Sequence, residues 1–313
     1  MKQYSIKGPI LLLITALLWG TTFVAQSLGG DYVDAFTYNT LRYLIAGVIL
    51  LAISYIRKIY YKSKKQQFSF VHNLNAKINY KVIILLTIGV GVTLFLGGAF
   101  QQLGITITKS SGKTGFIASL YMVFVPVLGL IFGRKFNPII FVFIAIALLG
   151  LFLIAFDSNL HLEVGDMLTF ICAIFFAFQI VFIDIVNPHI DSIFLTGIEC
   201  LIAGILSLVC ALLFESTTLD NIIKAAPAIL YAAVLSSCIA YTLQVFGQKH
   251  TKPSVAPLIM SLESVFALIS GLIILNEKMP IQGYIGCVLI FIAIICAQID
   301  FKQLYKKIVD KSE

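Results

Sequence analysis

The chain is divided into ten apolar runs, each close to the length that crosses a membrane. They fall near residues 8–28, 36–56, 82–103, 114–133, 138–156, 165–186, 193–214, 227–247, 254–275 and 281–300. A hydrocarbon layer about 30 Å thick is spanned by roughly 20 residues rising 1.5 Å each. Lipid offers no hydrogen-bond partner, so a crossing segment is a helix or part of a closed barrel. Barrel strands are about 10 residues long and alternate in polarity, and these runs do not alternate. An all-α integral membrane protein with ten transmembrane helices is therefore expected. Composition agrees: 59% of the 313 residues are hydrophobic and 12% are charged, where soluble proteins carry about 25% charged residues. An ordinary water-soluble enzyme and a disordered chain are both excluded.

The first run follows Lys2 and Lys7 and is longer than the roughly 7–15 residues of a signal-peptide core. It also lacks a convincing cleavage site, so it reads as the first membrane helix. Pro9, Pro138, Pro227 and Pro280 are placed near the first turns of their spans, where a missing N–H costs little.

The net charge of +7 suits a nucleic-acid binder only until the charges are located. With the N-terminus in the cytoplasm, 17 of the 22 basic residues fall in cytoplasmic segments. Lys109, Lys113, Lys224 and Lys278 fall outside, and Arg42 lies within a span. That asymmetry predicts an N-in, C-in topology in the cell membrane and no nucleic-acid partner. The basic loop near 57–81 is expected to lie along the anionic inner surface. The use of 19 Lys to 3 Arg suits an AT-rich bacterial genome.

The two halves of the chain repeat one another. Leu44-Ile45-Ala46-Gly47 recurs as Leu201-Ile202-Ala203-Gly204, and Asp34 aligns with Asp191. Ser119-Leu120, followed by Val123-Phe124, recurs as Ser261-Leu262, followed by Val265-Phe266, and Pro138-Ile139 as Pro280-Ile281. Five spans per unit is an odd number, so the second unit, 157–313, enters the membrane inverted relative to the first, 1–156. Secondary transporters commonly have this architecture, with the substrate site near midplane between the repeats.

These residues also carry a family resemblance. Ala16-Leu17-Leu18-Trp19-Gly20-Thr21-Thr22-Phe23, Leu41-Arg42-Tyr43 and Ala46-Gly47 resemble EamA-type members of the drug/metabolite transporter superfamily. Ser261-Leu262-Glu263 and Leu275-Asn276-Glu277-Lys278 are similar to the same pattern. The resemblance implies secondary transport of small metabolites, often export of amino acids or related compounds. Gly133-Arg134-Lys135 departs from it, because the family often has Gly-Glu there.

An ionisable side chain inside a span costs about 2.5–3.5 kcal/mol on insertion scales and so faces a cavity or a partner. Arg42, Glu199 and Glu263 are such residues. Glu263, close to midplane, suits proton or substrate coupling, or else hydrogen bonding between helices. Arg42 suits either anchoring of helix ends or binding of a substrate carboxylate. Arg42 and Glu199 are equivalent positions of opposite sign at different depths, which leaves a direct ion pair open. Gln26, Asn39, Gln101, Gln102, Gln179 and Gln244 offer amides that bind amino and carboxyl groups or cross-link helices. Trp19 and Tyr121 offer aromatic walls. Gly89, Gly91, Gly97 and Gly98 suit close helix packing or a flexible element, and the Gly129/Gly133 pair suits helix packing.

Other chemistry lacks its residues. Gly112-Lys113-Thr114 has no glycine five residues earlier and no preceding strand, so it is no phosphate loop. His72, His161, His189 and His250 are scattered in loops. Cys172, Cys200, Cys210, Cys238, Cys287 and Cys296 lie in apolar runs with no metal-ligand spacing. The expectation is a non-enzymatic transporter without cofactor or metal, taking a small-molecule substrate, with protons as a candidate coupling ion. A homodimer is compatible with the sequence. A nucleotide-sugar or lipid-linked carrier is the alternative within transport, and a membrane enzyme or scaffold the alternative outside it.

Overall fold

The computed structural model describes residues 6–72, 79–133, 137–155, 163–276 and 281–298. Arg134, Lys135, His161, Glu277, Lys278, Pro280 and the basic tail lie outside the described residues, as does the expected boundary between the halves at 156/157.

The described chain is helical: α1 (Lys7–Gly29), α2 (Ala35–Ser63), α3 (Tyr80–Thr108), α4 (Ser111–Ala118), α5 (Tyr121–Ile131), α6 (Ile139–Ala155), α7 (Val164–Val186), α8 (Ser192–Phe214), α9 (Leu219–Tyr231), a π-helical stretch (Ala232–Ala240), α10 (Tyr241–His250), α11 (Ala256–Met260), α12 (Glu263–Ile274) and α13 (Ile281–Gln298). Eight units are long and apolar enough to cross a membrane. These are α1, α2, α3, α7, α8, the α4–α5 unit, the continuous α9–α10 unit and the α11–α12 unit. The helices α6 and α13 are apolar and shorter. Among the described residues, β pairing is confined to one isolated bridge, Val71 to Ile190.

Several elements differ from the sequence expectation. The helix α2 continues to Ser63, beyond the expected end at 56. Pro227 does not open its span, because α9 begins at Leu219 and holds the proline in its interior. Gly133 does not serve helix packing: with φ +74 and nothing within 4 Å of a Cβ placed there, it closes α5 in the left-handed conformation. The described part of the basic loop also packs on the protein. Phe70 stacks on Phe194 at 4.3 Å, and His72 N donates to the carbonyl of His189 at 2.9 Å.

Two spans are kinked in the same way. Around Ser119-Leu120 the backbone tightens, with Leu120 N donating to Ile117 O and Met122 N to Ser119 O. Around Ser261-Leu262 the matching bonds run from Leu262 N to Ile259 O and from Ser264 N to Ser261 O. Each kink is a short 3₁₀ passage, which starts a new half-helix inside the bundle.

The packing has the same reciprocity. Helix α2 packs on α8, α6 on α13 and α4 on α12, while α3 packs on α7 much as α1 packs on α10. At the α2–α8 crossing the repeated tetrapeptides meet. A Cβ on Gly47 would stand 2.9 Å from the Leu201 amide nitrogen, and one on Gly204 would stand 2.7 Å from Leu44 Cδ2. The small residues let the two backbones approach closely, as in other membrane helix pairs.

Charged residues close the ends of these helices. Glu215, just past α8, accepts from the backbone N–H groups of Phe36 and Thr37 at 2.7 Å each and so caps α2. At the other end of the pair, Asp191 caps α8 through Phe194 N at 3.1 Å and pairs with Arg57 at 3.0 Å. Lys113, in the first turn of α4, pairs with Asp166 at 2.7 Å, and Lys109 pairs with Asp31.

The crossing yields a prediction. Gly47→Ala places a methyl group against backbone that cannot swing aside, so it is expected to cost about 1–3 kcal/mol. Val48→Ala, on an exposed face, is the control. Thermal unfolding in detergent should show a lowered midpoint for the glycine variant alone.

Candidate functional site

A cavity lies within the bundle, lined by residues from both halves of the chain. Helix α1 lines it with Trp19, Phe23 and Gln26, α7 with Phe176 and Gln179, and α10 with Tyr241 and Gln244. Arg42 enters from α2, Gln101 from α3, Tyr121 from α5 and Glu263 from α12. The spacing Phe23-x-x-Gln26 on α1 is matched by Phe176-x-x-Gln179 on α7, so each half presents one ring and one amide from neighbouring turns.

Arg42 is buried, at 1% exposure. Its Nε donates to Asn39 Oδ1 at 2.8 Å and its Nη2 to the Tyr43 hydroxyl at 2.7 Å. The guanidinium also lies 4.4 Å from the Tyr43 ring centroid, a favourable cation–π distance. Asn39 is held in turn, its Nδ2 donating to Gly98 O at 2.9 Å. Among the described residues no carboxylate forms an ion pair with Arg42. The α2–α8 crossing explains why Glu199 does not. Gly47 lies level with Leu201, and Leu44 with Gly204. That register puts Arg42 and Glu199 seven residues apart along the pair, about 10 Å of rise.

The amides pair within each half. Gln26 Nε2 donates to Gln101 Oε1 at 3.1 Å, joining α1 to α3. Gln244 Nε2 donates to Gln179 Oε1 at 3.2 Å, joining α10 to α7. Pairing satisfies part of each amide inside the bundle, and all four glutamines line the cavity.

Tyr121 and Glu263 are the first residues of the half-helices that follow the two kinks. They lie beside one another, with Ser119 Oγ 3.5 Å from Glu263 Oε1 and 3.3 Å from Ser261 O. The kinks thus turn a phenol and a carboxyl into one wall. Also in the lining, the Trp19 ring stands edge-on to Tyr241, with centroids 5.2 Å apart, and its indole N–H has no partner among the described residues.

Three residues singled out from the sequence stand behind the wall. Asn39 holds Arg42, as described. Gln102 donates to the Gln26 carbonyl at 3.0 Å and is fully buried. Glu199 accepts from Gln179 Nε2 at 3.3 Å. Polarity within a span marks these positions, but does not separate a cavity face from a helix seam. Thr22, Phe23, Phe176, Ile180, Ser236 and Tyr241 also line the cavity and carry no such contrast in sequence. The signal available for Phe23 and Phe176 was their shared spacing to a glutamine. For Ser236 and Tyr241 there was none, because they lie at and just beyond the π-helical stretch.

Comparison with known proteins agrees with this architecture. The EamA-like transporter family matches residues 6–156 and again 163–298. The chain belongs to that family, and so to the drug/metabolite transporter superfamily. An uncharacterized transporter of Archaeoglobus fulgidus is 28% identical over 285 residues, covering 91% of this chain and 83% of the relative. The uncharacterized transporter YoaV of Bacillus subtilis is 22% identical over 304 residues, covering 95% and 99%. A protein crystal structure, 17% identical, superposes with a TM-score of 0.73 over 95% of this chain and 98% of that one, a likeness of fold. The protein is thus a multi-pass membrane protein of a transporter family.

Because Asn39 orients a buried cation, its removal leaves a guanidinium donor unmet. Asn39→Ala is expected to cost about 1–3 kcal/mol and to lower the unfolding midpoint in detergent, while Asn39→Asp, which keeps the acceptor, recovers most of the loss.

Proposed function

We propose that the protein is a secondary transporter that exports small polar or amphipathic metabolites of the amino-acid type across the cell membrane. The observation that carries this reading is the cavity itself. It joins a guanidinium that pairs with no carboxylate among the described residues to a carboxyl group, with amides from both halves in the same lining. Such a lining is complementary to a zwitterion: Arg42 for a carboxylate, Glu263 and amide oxygens for an ammonium, and Trp19 and Tyr241 for an apolar side chain.

The units 1–156 and 157–313 act as two inverted five-helix repeats, ten spans in all, with both termini in the cytoplasm. The matched kinks, the reciprocal helix pairings and the double family match support this arrangement. Rocking of the repeats about the cavity gives alternating access. Glu263 takes up a proton in the cycle, since a carboxyl in an enclosed apolar bundle is most easily carried across when neutral. A nucleotide-sugar or lipid-linked cargo would need a wider and more basic cavity than one arginine lines.

Two measurements test the reading. The chain has a single tryptophan, Trp19, so its emission should change on titration with a cargo amino acid, and Arg42→Gln should abolish the change. In proteoliposomes, a proton gradient should accelerate amino-acid efflux by the wild type, and Glu263→Gln should lose that acceleration. A variant as responsive to the gradient as the wild type would remove Glu263 from coupling.

A further inference from the structure

Glu199 is fully buried on α8, behind the cavity wall. Its Oε2 accepts from Gln179 Nε2 at 3.3 Å, and its Oε1 has no partner among the described residues. Gln179 Oε1 accepts from Gln244 Nε2 at 3.2 Å. Gln244 is fully buried, lines the cavity, and has an Oε1 without a partner among the described residues. The three side chains form a directed chain that begins at a carboxyl and ends at the cavity.

The direction has a chemical cause. An ionised carboxylate only accepts hydrogen bonds. Gln179 must therefore turn its NH₂ toward Glu199 and its carbonyl toward Gln244. Gln244 then spends its NH₂ on Gln179 and leaves its carbonyl for the cavity. A protonated carboxyl can donate. With the proton on Glu199, its O–H donates to Gln179 Oε1, the Gln179 amide turns over and donates to Gln244 Oε1, and Gln244 presents its NH₂.

We infer that Glu199 is a positioning residue that, by taking one proton from water or returning it, reverses the Gln179 and Gln244 amides and converts the Gln244 wall from hydrogen-bond acceptor to donor. One O–H bond forms at the carboxyl, and otherwise only hydrogen bonds change hands. The inference rests on the reading of the cavity as a cargo site. There the acceptor state favours an ammonium group and the donor state a carboxylate, so the site changes its preference within one transport cycle.

The surroundings leave Glu199 to set this state. Facing groups on α2 are Tyr43 and, beyond it, Arg42, which is committed to Asn39 and Tyr43. Cys200 is the neighbour on α8 itself. The π-helical stretch and α10 bring Cys238 near Cys200 and Tyr241 near Tyr43. Helix α3 has no titratable side chain between Lys81 and Lys109, and α7 has none between Cys172 and Asp184. In the first half the equivalent of Glu199 is Arg42, a permanent donor outside the Gln26–Gln101 pair, so the device belongs to the second half alone.

Infrared difference spectra of the protein in phosphatidylcholine vesicles, with glutamine side chains carrying ¹³C and no cargo present, test the inference. Stepping from mildly alkaline to mildly acidic pH should raise a protonated-carboxyl band and shift a glutamine amide band. Glu199→Gln should lose the amide shift and the Glu199 part of the carboxyl band, and Glu263→Gln should keep the amide shift and that Glu199 part. Gln179→Leu should keep the Glu199 carboxyl band and lose the amide shift. An amide shift that persists in Glu199→Gln or Gln179→Leu, or a wild type without a Glu199-dependent carboxyl band, would overturn the inference. Because no cargo is present, a failure of flux bears on the transporter reading and leaves these spectra to decide the relay.

Discussion

Inside an apolar bundle a polar side chain is answered by another part of the chain or left unmet, since the surrounding lipid offers no hydrogen bonds. This constraint arranges the centre of the molecule. Arg42 is answered by Asn39 and Tyr43, Gln26 by Gln101, and Gln179 by Gln244 and Glu199. Each answer ties two helices or fixes a side chain. Some of what is left over, such as the Gln244 carbonyl, belongs to residues that line the cavity, and it contributes to the chemistry of the site.

Backbone irregularity serves the same end. A regular helix through Ser119 or Ser261 would carry the following half-helix in another direction. The short 3₁₀ passages instead set Tyr121 and Glu263 at the heads of α5 and α12, against one wall of the cavity. The π-helical stretch in the span that ends with α10 does the corresponding service for Ser236 and Tyr241. Such stretches occur mainly at functional positions because a regular helix is otherwise favoured.

Much of this was legible in the residues. Arg42, Glu263 and the glutamines stand out because each interrupts an apolar run, and the interruption has a cost that only a partner or a cavity offsets. The repeated Leu-Ile-Ala-Gly tetrapeptide revealed the duplication, but not that its two copies meet at the α2–α8 crossing. Tyr241 and Phe176 could not be read in this way, since aromatic residues are unremarkable in a membrane span. Nor could Glu199 be distinguished from Glu263: one stands behind the wall and the other in it. That difference depends on helix rotation, which apolar periodicity does not report in a helix that is hydrophobic all round. The kinks were hidden too, because Ser-Leu bends a helix only where the neighbouring helix demands it.

The α2–α8 crossing has a consequence for how the sequence can drift. Leu44 sits over Gly204 as Leu201 sits over Gly47, so the contact is self-complementary in the manner of a twofold interface between identical subunits. Both contacts are made within a single polypeptide. A larger residue at 47 meets the backbone of Leu201, which no side-chain change at 201 removes, whereas one at 204 first meets the side chain of Leu44. The two halves are free to diverge elsewhere, but at this seam their histories are tied, and each copy keeps the other from wandering.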